Sequence, residues 1–250
     1  MSEVDVLSDT EVGSALDGVG PLPVVSPPES LLEGPVVFVD VETTGGGFAY
    51  NRITEIGIVV ARGGELEYEW SSLINPRISI PYGIQQLTGI TNEMVADAPA
   101  FEDIAADLVK RFEGRLFVAH NAGFDYGFMR QEFQRAGIQF ESRVCCTVRL
   151  SRRVNPNMPR HNLDMLIAYL GLNITKRHRA LPDAQALWQF WCDLRARPVR
   201  EDIDKVLEKI TRIRKPRIKR IRDRAVERVP DQRFADAAGH TVVSTDLDAA

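Results

Sequence analysis

Asp40 and Glu42 stand two residues apart at the end of Val36-Val37-Phe38-Val39-Asp40-Val41, a nearly unbroken apolar run of the kind a central buried strand makes. Alternate strand residues face the same way, so the two carboxylates project together. Acids closing an apolar strand are costly unless a cation pairs with them. Taken alone, the pair also fits a polar strand terminus leaving the core. Asp125 closes His120-Asn121-Ala122-Gly123-Phe124-Asp125, where a short turn leads from an apolar strand into the first turn of a helix. Asp183 follows Leu181-Pro182, with the proline placed to open a helix at its first position. An acid at either place also serves as a helix starter through the macrodipole. His178 lies upstream of Asp183 in Lys176-Arg177-His178-Arg179, which by itself reads as a solvated basic loop. The combination carries more than its parts, because each acid sits at a strand end or a helix start, the edges where α/β folds place functional sites. Four converging carboxylates suit hard divalent cations with oxygen ligands. Two such ions about 3.5–4 Å apart can hold both the attacking and the leaving oxygen of a phosphoryl displacement.

The elements that must position these residues are readable from periodicity. Residues 53–60 form a second strand and 66–74 a third, with Gly63-Gly64 marking a hairpin, so the first three strands make an antiparallel meander. Helical spacing follows over 101–112, stopped at Gly114, then an apolar strand over 115–119. A helix over 124–136 ends at Gly137; a short strand over 144–147 and helices over 163–170 and 184–194 complete the pattern. The order predicts an α/β fold, a mixed sheet of about five strands with helices on both faces.

The formal net charge of −4 conceals a strong asymmetry: residues 1–33 carry seven Asp/Glu and no Lys or Arg, whereas 205–228 carry eleven Lys/Arg against three acids. The expected organisation is an acidic disordered tail (1–33), a catalytic domain (34–198), and a basic helical extension ending in a disordered tail (199–250). In the extension, Ile203, Val206, Leu207, Ile210 and Ile213 keep helical spacing. That face would dock on the core or on a partner, or belong to a solvated helix, while the basic side chains could meet phosphates. Cys145, Cys146 and Cys192 are too few and wrongly spaced for a disulfide framework or a zinc site, and read as reduced thiols. No apolar run approaches the ~20 residues of a membrane helix and no secretory signal opens the chain, which points to a cytoplasmic setting without a membrane partner. His120 and His161 read as structural hydrogen-bonding residues, Trp188 and Trp191 as core or interface.

Three segments, Val39-Asp40-Val41-Glu42-Thr43-Thr44-Gly45, His120-Asn121-Ala122-Gly123-Phe124-Asp125 and His178-Arg179-Ala180-Leu181-Pro182-Asp183-Ala184, resemble the three exonuclease motifs of the DEDDh family. The likeness is to the proofreading (epsilon, DnaQ-like) subunits of bacterial DNA polymerase III and their relatives. Leu73-Ile74-Asn75-Pro76, Leu87-Thr88-Gly89-Ile90-Thr91 and Arg160-His161-Asn162-Leu163-Asp164 resemble the family's intervening signatures, and the likeness covers about residues 35–195. The resemblance implies an RNase H-like fold and hydrolysis from the 3′ end, releasing nucleoside 5′-monophosphates. It implies two Mg²⁺ or Mn²⁺ ions held by Asp40, Glu42, Asp125 and Asp183. His178 would be the general base, and its being histidine rather than tyrosine selects the subclass; an imidazole changes charge near neutral pH, which suits the task. The backbone around Thr43 and Thr44 would contact the terminal nucleotide, as would Phe124, which reads equally as a core residue. The implied partners are single-stranded or frayed 3′ ends of DNA and a DNA polymerase subunit. RNA or short oligonucleotides are the alternative substrate. A catalytically silent binding module is a third reading, opposed by retention of all five catalytic residue types.

Overall fold

The structure, a computed structural model of the chain, describes residues 30–211. The expected tails over 1–29 and 212–250, and with them most of the basic stretch 205–228, lie outside the described residues.

Strand β1 (Pro35–Thr43) pairs antiparallel with β2 (Ile53–Arg62), which pairs antiparallel with β3 (Glu65–Leu73). The β2–β3 turn is Gly63-Gly64, both at positive φ (56° and 77°), a backbone that glycine adopts at no steric cost. Helices α1 (Tyr82–Thr88), α2 (Asn92–Val95) and α3 (Phe101–Lys110) lead to β4 (Leu116–Ala119). Helix α4 (Gly123–Arg135), β5 (Val144–Cys146), α5 (Thr147–Val154), α6 (Leu163–Leu170), α7 (Ala180–Ala196) and α8 (Arg200–Thr211) complete the described chain. The sheet order is β3-β2-β1-β4-β5, with β4 parallel to both β1 and β5. This is the five-stranded mixed sheet that the sequence predicts. Among the described residues no helix is long and apolar enough to cross a membrane, and all three cysteines are free.

Strand alternation divides the core in two. Val37, Val39 and Val41 of β1 pack with Phe101, Ala105 and Leu108 of α3 and Phe128, Met129 and Phe133 of α4. Val36 and Phe38 face the other way, against Leu187, Phe190 and Trp191 of α7; the Phe38 and Trp191 rings meet edge-on with centroids 5.7 Å apart. Asp40 and Glu42 continue that second face, toward α7.

Two expectations change. Helix α7 begins at Ala180, not 184, so Pro182 is its third residue rather than its first. The proline is tolerated because the first amides of a helix have no intrahelical acceptor; the first i→i−4 bond is Asp183 N–H to the Arg179 carbonyl, 3.1 Å. The expected borders at 33/34 and 198/199 fall inside the packing. Leu32 and the α8 residues Ile203, Leu207 and Ile210 are buried in the α7-side core. Trp191 Nε1 donates to the Leu32 carbonyl (3.1 Å), and the Asp204 carboxylate accepts from Ser30 Oγ and from the Leu32 amide. Leu207→Ala should therefore lower unfolding free energy by about 2–5 kcal/mol, the usual cost of emptying a buried leucine site. Urea unfolding checks this, and an unchanged midpoint would mean that α8 contributes nothing to the core.

Candidate active site

The cleft forms where β1 leaves the core. Asp40 is paired in register with Gly57 of β2, and Glu42 with Glu55. A β-carbon at Gly57 would stand 2.2 Å from the carbonyl carbon of Ala180. Only glycine lets the first turn of α7 lie directly on β2 beside Asp40. That approach brings Asp183, one turn into α7, over the strand. Carboxylate oxygens of Asp40, Glu42 and Asp183 all lie within 4.8 Å of one another. Asp125 enters from the opposite face of the sheet, in the first turn of α4. It is buried, and its Oδ1 accepts the Val41 amide at 3.2 Å, which ties α4 to the end of β1.

These four acids line a cleft of about 290 Å³ together with His178, Phe124, His120 and Arg177. His178 is exposed and stands at φ 57°, a left-handed conformation uncommon for a residue with a β-carbon. Phe124 is half-buried at the cleft wall, its ring 4.9 Å from that of Phe128. Thr43 and Thr44 are buried just beyond the cleft lining. Their hydroxyls donate to the Gly45 carbonyl (2.9 Å) and to Asn51 Oδ1 (3.1 Å), so the side chains are engaged in shaping the turn after β1. His120 and His161 each have a ring nitrogen hydrogen-bonded, to Thr147 Oγ1 and Ser151 Oγ, both at 2.9 Å.

Sequence reasoning missed three participants. The Arg177 guanidinium pairs with Asp183 and, at 2.6 Å, with Asp164. Arg179 pairs with Glu55. The legible signal was Glu55 itself, an acid inside the apolar strand Ile53-Thr54-Glu55-Ile56, but its partner is 124 residues away in the chain.

The sequence profile of the exonuclease family RNase_T matches residues 37–190. The chain belongs to this family. Among curated relatives, it is 36% identical over 206 residues to the PolC-type DNA polymerase III of Oceanobacillus iheyensis, covering 82% of this chain and 14% of that protein. It is 36% identical over 188 residues to the 3′-5′ exonuclease DinG of Bacillus subtilis, covering 74% and 19%. The chain thus spans less than a fifth of the length of either. Among solved structures, exonuclease X in complex with 5′ overhanging duplex DNA matches with a TM-score of 0.53 and 26% identity, over 69% of this chain and 99% of that one. Escherichia coli exonuclease I in complex with a dT13 oligonucleotide matches with a TM-score of 0.61 and 17% identity, over 68% and 42%, a likeness of fold. The mixed sheet is accordingly RNase H-like.

The cleft is electrostatically crowded. Burial, reinforced by Asp125, Asp183 and Glu42, holds the Asp40 carboxyl well above the ordinary carboxylate range. Burial and the neighbouring Asp183 and Glu55 push Glu42 up to about 7, against the pull of Arg177 and Arg179. Burial likewise raises Asp125 to about 7, although its backbone hydrogen bonds oppose the shift. Asp183 is raised by burial and held back by Arg177. Burial and Arg177 lower His120 to about 4, keeping it neutral. Negative charge therefore exceeds what the nearby arginines neutralise, and the all-oxygen donor set fits a hard divalent cation.

This crowding has a sign in stability. The raised carboxyls bind more protons in the folded state than in the unfolded chain, so their contribution is full below the ordinary value and is lost as pH rises through the folded one. For Glu42 that window runs from 4.5 to about 7. His120 has the opposite sign, losing stability as pH falls from 6.5 through about 4. Above pH ~6.5 His120 no longer contributes, and the raised carboxyls of the cleft remain in play. In EDTA, the melting temperature should fall between about pH 6.5 and 8, and Mn²⁺ should flatten that fall. A melting temperature that rises across the window in EDTA would contradict the crowding.

Proposed function

We propose that this exonuclease is of the DEDDh type and removes nucleoside 5′-monophosphates from the 3′ ends of DNA, in proofreading or repair. Asp40, Glu42, Asp125 and Asp183 hold two divalent ions, Mg²⁺ or Mn²⁺, and His178 is the general base. The observation that carries this reading is the meeting of Asp40, Glu42 and Asp183 oxygens within 4.8 Å of one another, in a cleft that Asp125 and His178 also line. Divalent ions held there would supply positive charge to the attacking and leaving oxygens of the scissile phosphodiester. The chain's own residues do the rest. His178, at the open side, takes the proton from the attacking water. The ring of Phe124 and the backbone at Thr43 and Thr44 contact the terminal nucleotide and fix the reacting phosphate in line.

The substrate is a single-stranded or frayed 3′ end, because a paired terminus must give up stacking before its last phosphodiester reaches the sheet edge. The names of the PolC-type relatives favour a DNA polymerase as partner. Residues 34–198 carry all of the proposed catalytic groups, with α8 as the docked start of the extension.

On a 3′-labelled DNA strand with Mn²⁺, the wild type should release mononucleotides and excess EDTA should stop it. His178→Ala should lower kcat by about 10²–10⁴-fold, the scale of general-base catalysis, with Mn²⁺ affinity retained. A circular single strand should survive. Cleavage of the circle would replace the 3′-end reading with an endonuclease, and turnover confined to an RNA strand of the same sequence would move the substrate to RNA.

A further inference from the structure

We propose that Glu55 and Arg179 form a positioning pair that sets where His178 stands, and so governs turnover rather than binding of substrate or metal. The inference rests on the general-base reading of His178. Glu55 is buried, at 4% exposure, on the same face of β2 as Gly57 and opposite Glu42. It lies outside the group of acids whose oxygens converge. Its carboxylate accepts from Arg179 Nε at 2.9 Å and from Arg179 Nη2, and its Oε2 also accepts the Ala180 amide at 2.9 Å. A buried carboxylate is tolerated when every acceptor is used, and the planar guanidinium fork meets that need as an ammonium would not. The Ala180 amide is among the helix-start donors that lack an intrahelical acceptor. An acid on a neighbouring strand thus performs the capping that Arg179, the N-cap residue of α7, has no side-chain oxygen to perform.

The consequence falls on the residue just before. Arg179 is extended (φ −137°, ψ 133°), and His178 stands at φ 57°. Left-handed backbone is disfavoured for histidine, and one direct restraint on the residue is its own backbone N–H, which donates to the Asp183 carboxylate. The orientation of the ring also depends on its flanks: Arg177 on Asp164 and Asp183 on one side, Arg179 on Glu55 on the other. Asp183 differs, because it belongs to α7, whose Ala184, Leu187, Phe190 and Trp191 are buried in the core. Loosening the pair should therefore release the C-terminal flank of His178 and let its ring shift, while Asp183 stays in place.

The test uses the full chain with Arg179→Gln, Glu55→Gln and the double variant. Arg179→Lys is added because it keeps a cation beside Glu55 while giving up the fork. Steady-state kinetics on a 3′-labelled single strand at saturating Mn²⁺ are read beside Mn²⁺ affinity by electron paramagnetic resonance and beside melting temperature. Each single variant, Arg179→Lys included, should lower kcat by about 10–10²-fold, the scale of an ångström-sized misplacement. KM and Mn²⁺ affinity should stay within about threefold of wild type. The double variant should be no slower than the slower single one, because the two residues act as a unit. A merely structural role would lower the melting temperature and leave kcat unchanged below it, which overturns the proposal. Loss of Mn²⁺ affinity with kcat intact at saturation overturns it as well, as does full kcat in Arg179→Lys. A wild type inactive on every strand sinks the general-base reading and the inference with it; an active wild type with unaltered variants sinks the pair alone.

Discussion

Three carboxylates whose oxygens lie within 4.8 Å of one another, with a fourth on the same cleft, repel each other, and much of the surrounding structure holds them against that repulsion. Strand β1 places Asp40 and Glu42 on one face by alternation alone. The other two acids need longer-range devices. Asp183 reaches the cluster because Gly57 lets α7 lie on β2 at a distance that any side chain would forbid. Asp125 arrives from the opposite face and is fixed by the Val41 amide. Both devices are built from backbone, which cannot titrate and does not move without unfolding part of the sheet.

The energetic cost of this arrangement falls on the metal-free fold. Arg177 offsets part of the charge by pairing with Asp183 and Asp164. His120, kept neutral by burial, adds no positive charge. The apolar layers on the two faces of the sheet supply the surplus that tolerates such a site, and a ligand that binds only the folded cleft returns stability through mass action. On the proposed metal-binding role, function and local instability share one cause, the desolvation of these carboxyls.

Much of this was legible from residue order. The apolar run of β1, the glycine pair at the β2–β3 turn and the 3.6-residue spacing of α3, α4 and α6 are local signals, and the structure follows them. Helices α1, α2 and α5 were not read. The first two are short, seven and four residues, and pack with the small cluster Ile80, Ile90 and Val95 rather than with the main core. Helix α5 starts on the residue after β5, at Thr147-Val148, a β-branched pair that reads as strand. The spacing of Ile203, Leu207 and Ile210 left docking and solvation both open, and their burial decides it for the core. Arg177 and Arg179 read as a solvated basic loop because neither pairing carries a periodic signature: Arg177 reaches Asp183 and Asp164 across a loop, and Arg179 reaches Glu55, 124 residues away.

The central claim is that these raised carboxyls share a site for divalent cations. The most direct measurement is calorimetric titration of Mn²⁺ into the protein at pH ~7, in buffers of differing ionisation enthalpy, which counts protons released per ion bound. Protonated carboxyls must lose their protons to become ligands, so the account predicts net proton release that shrinks as pH is raised and is reduced in Asp40→Asn. Binding with no proton release at pH ~7, or unaltered binding and release in Asp40→Asn, would contradict it.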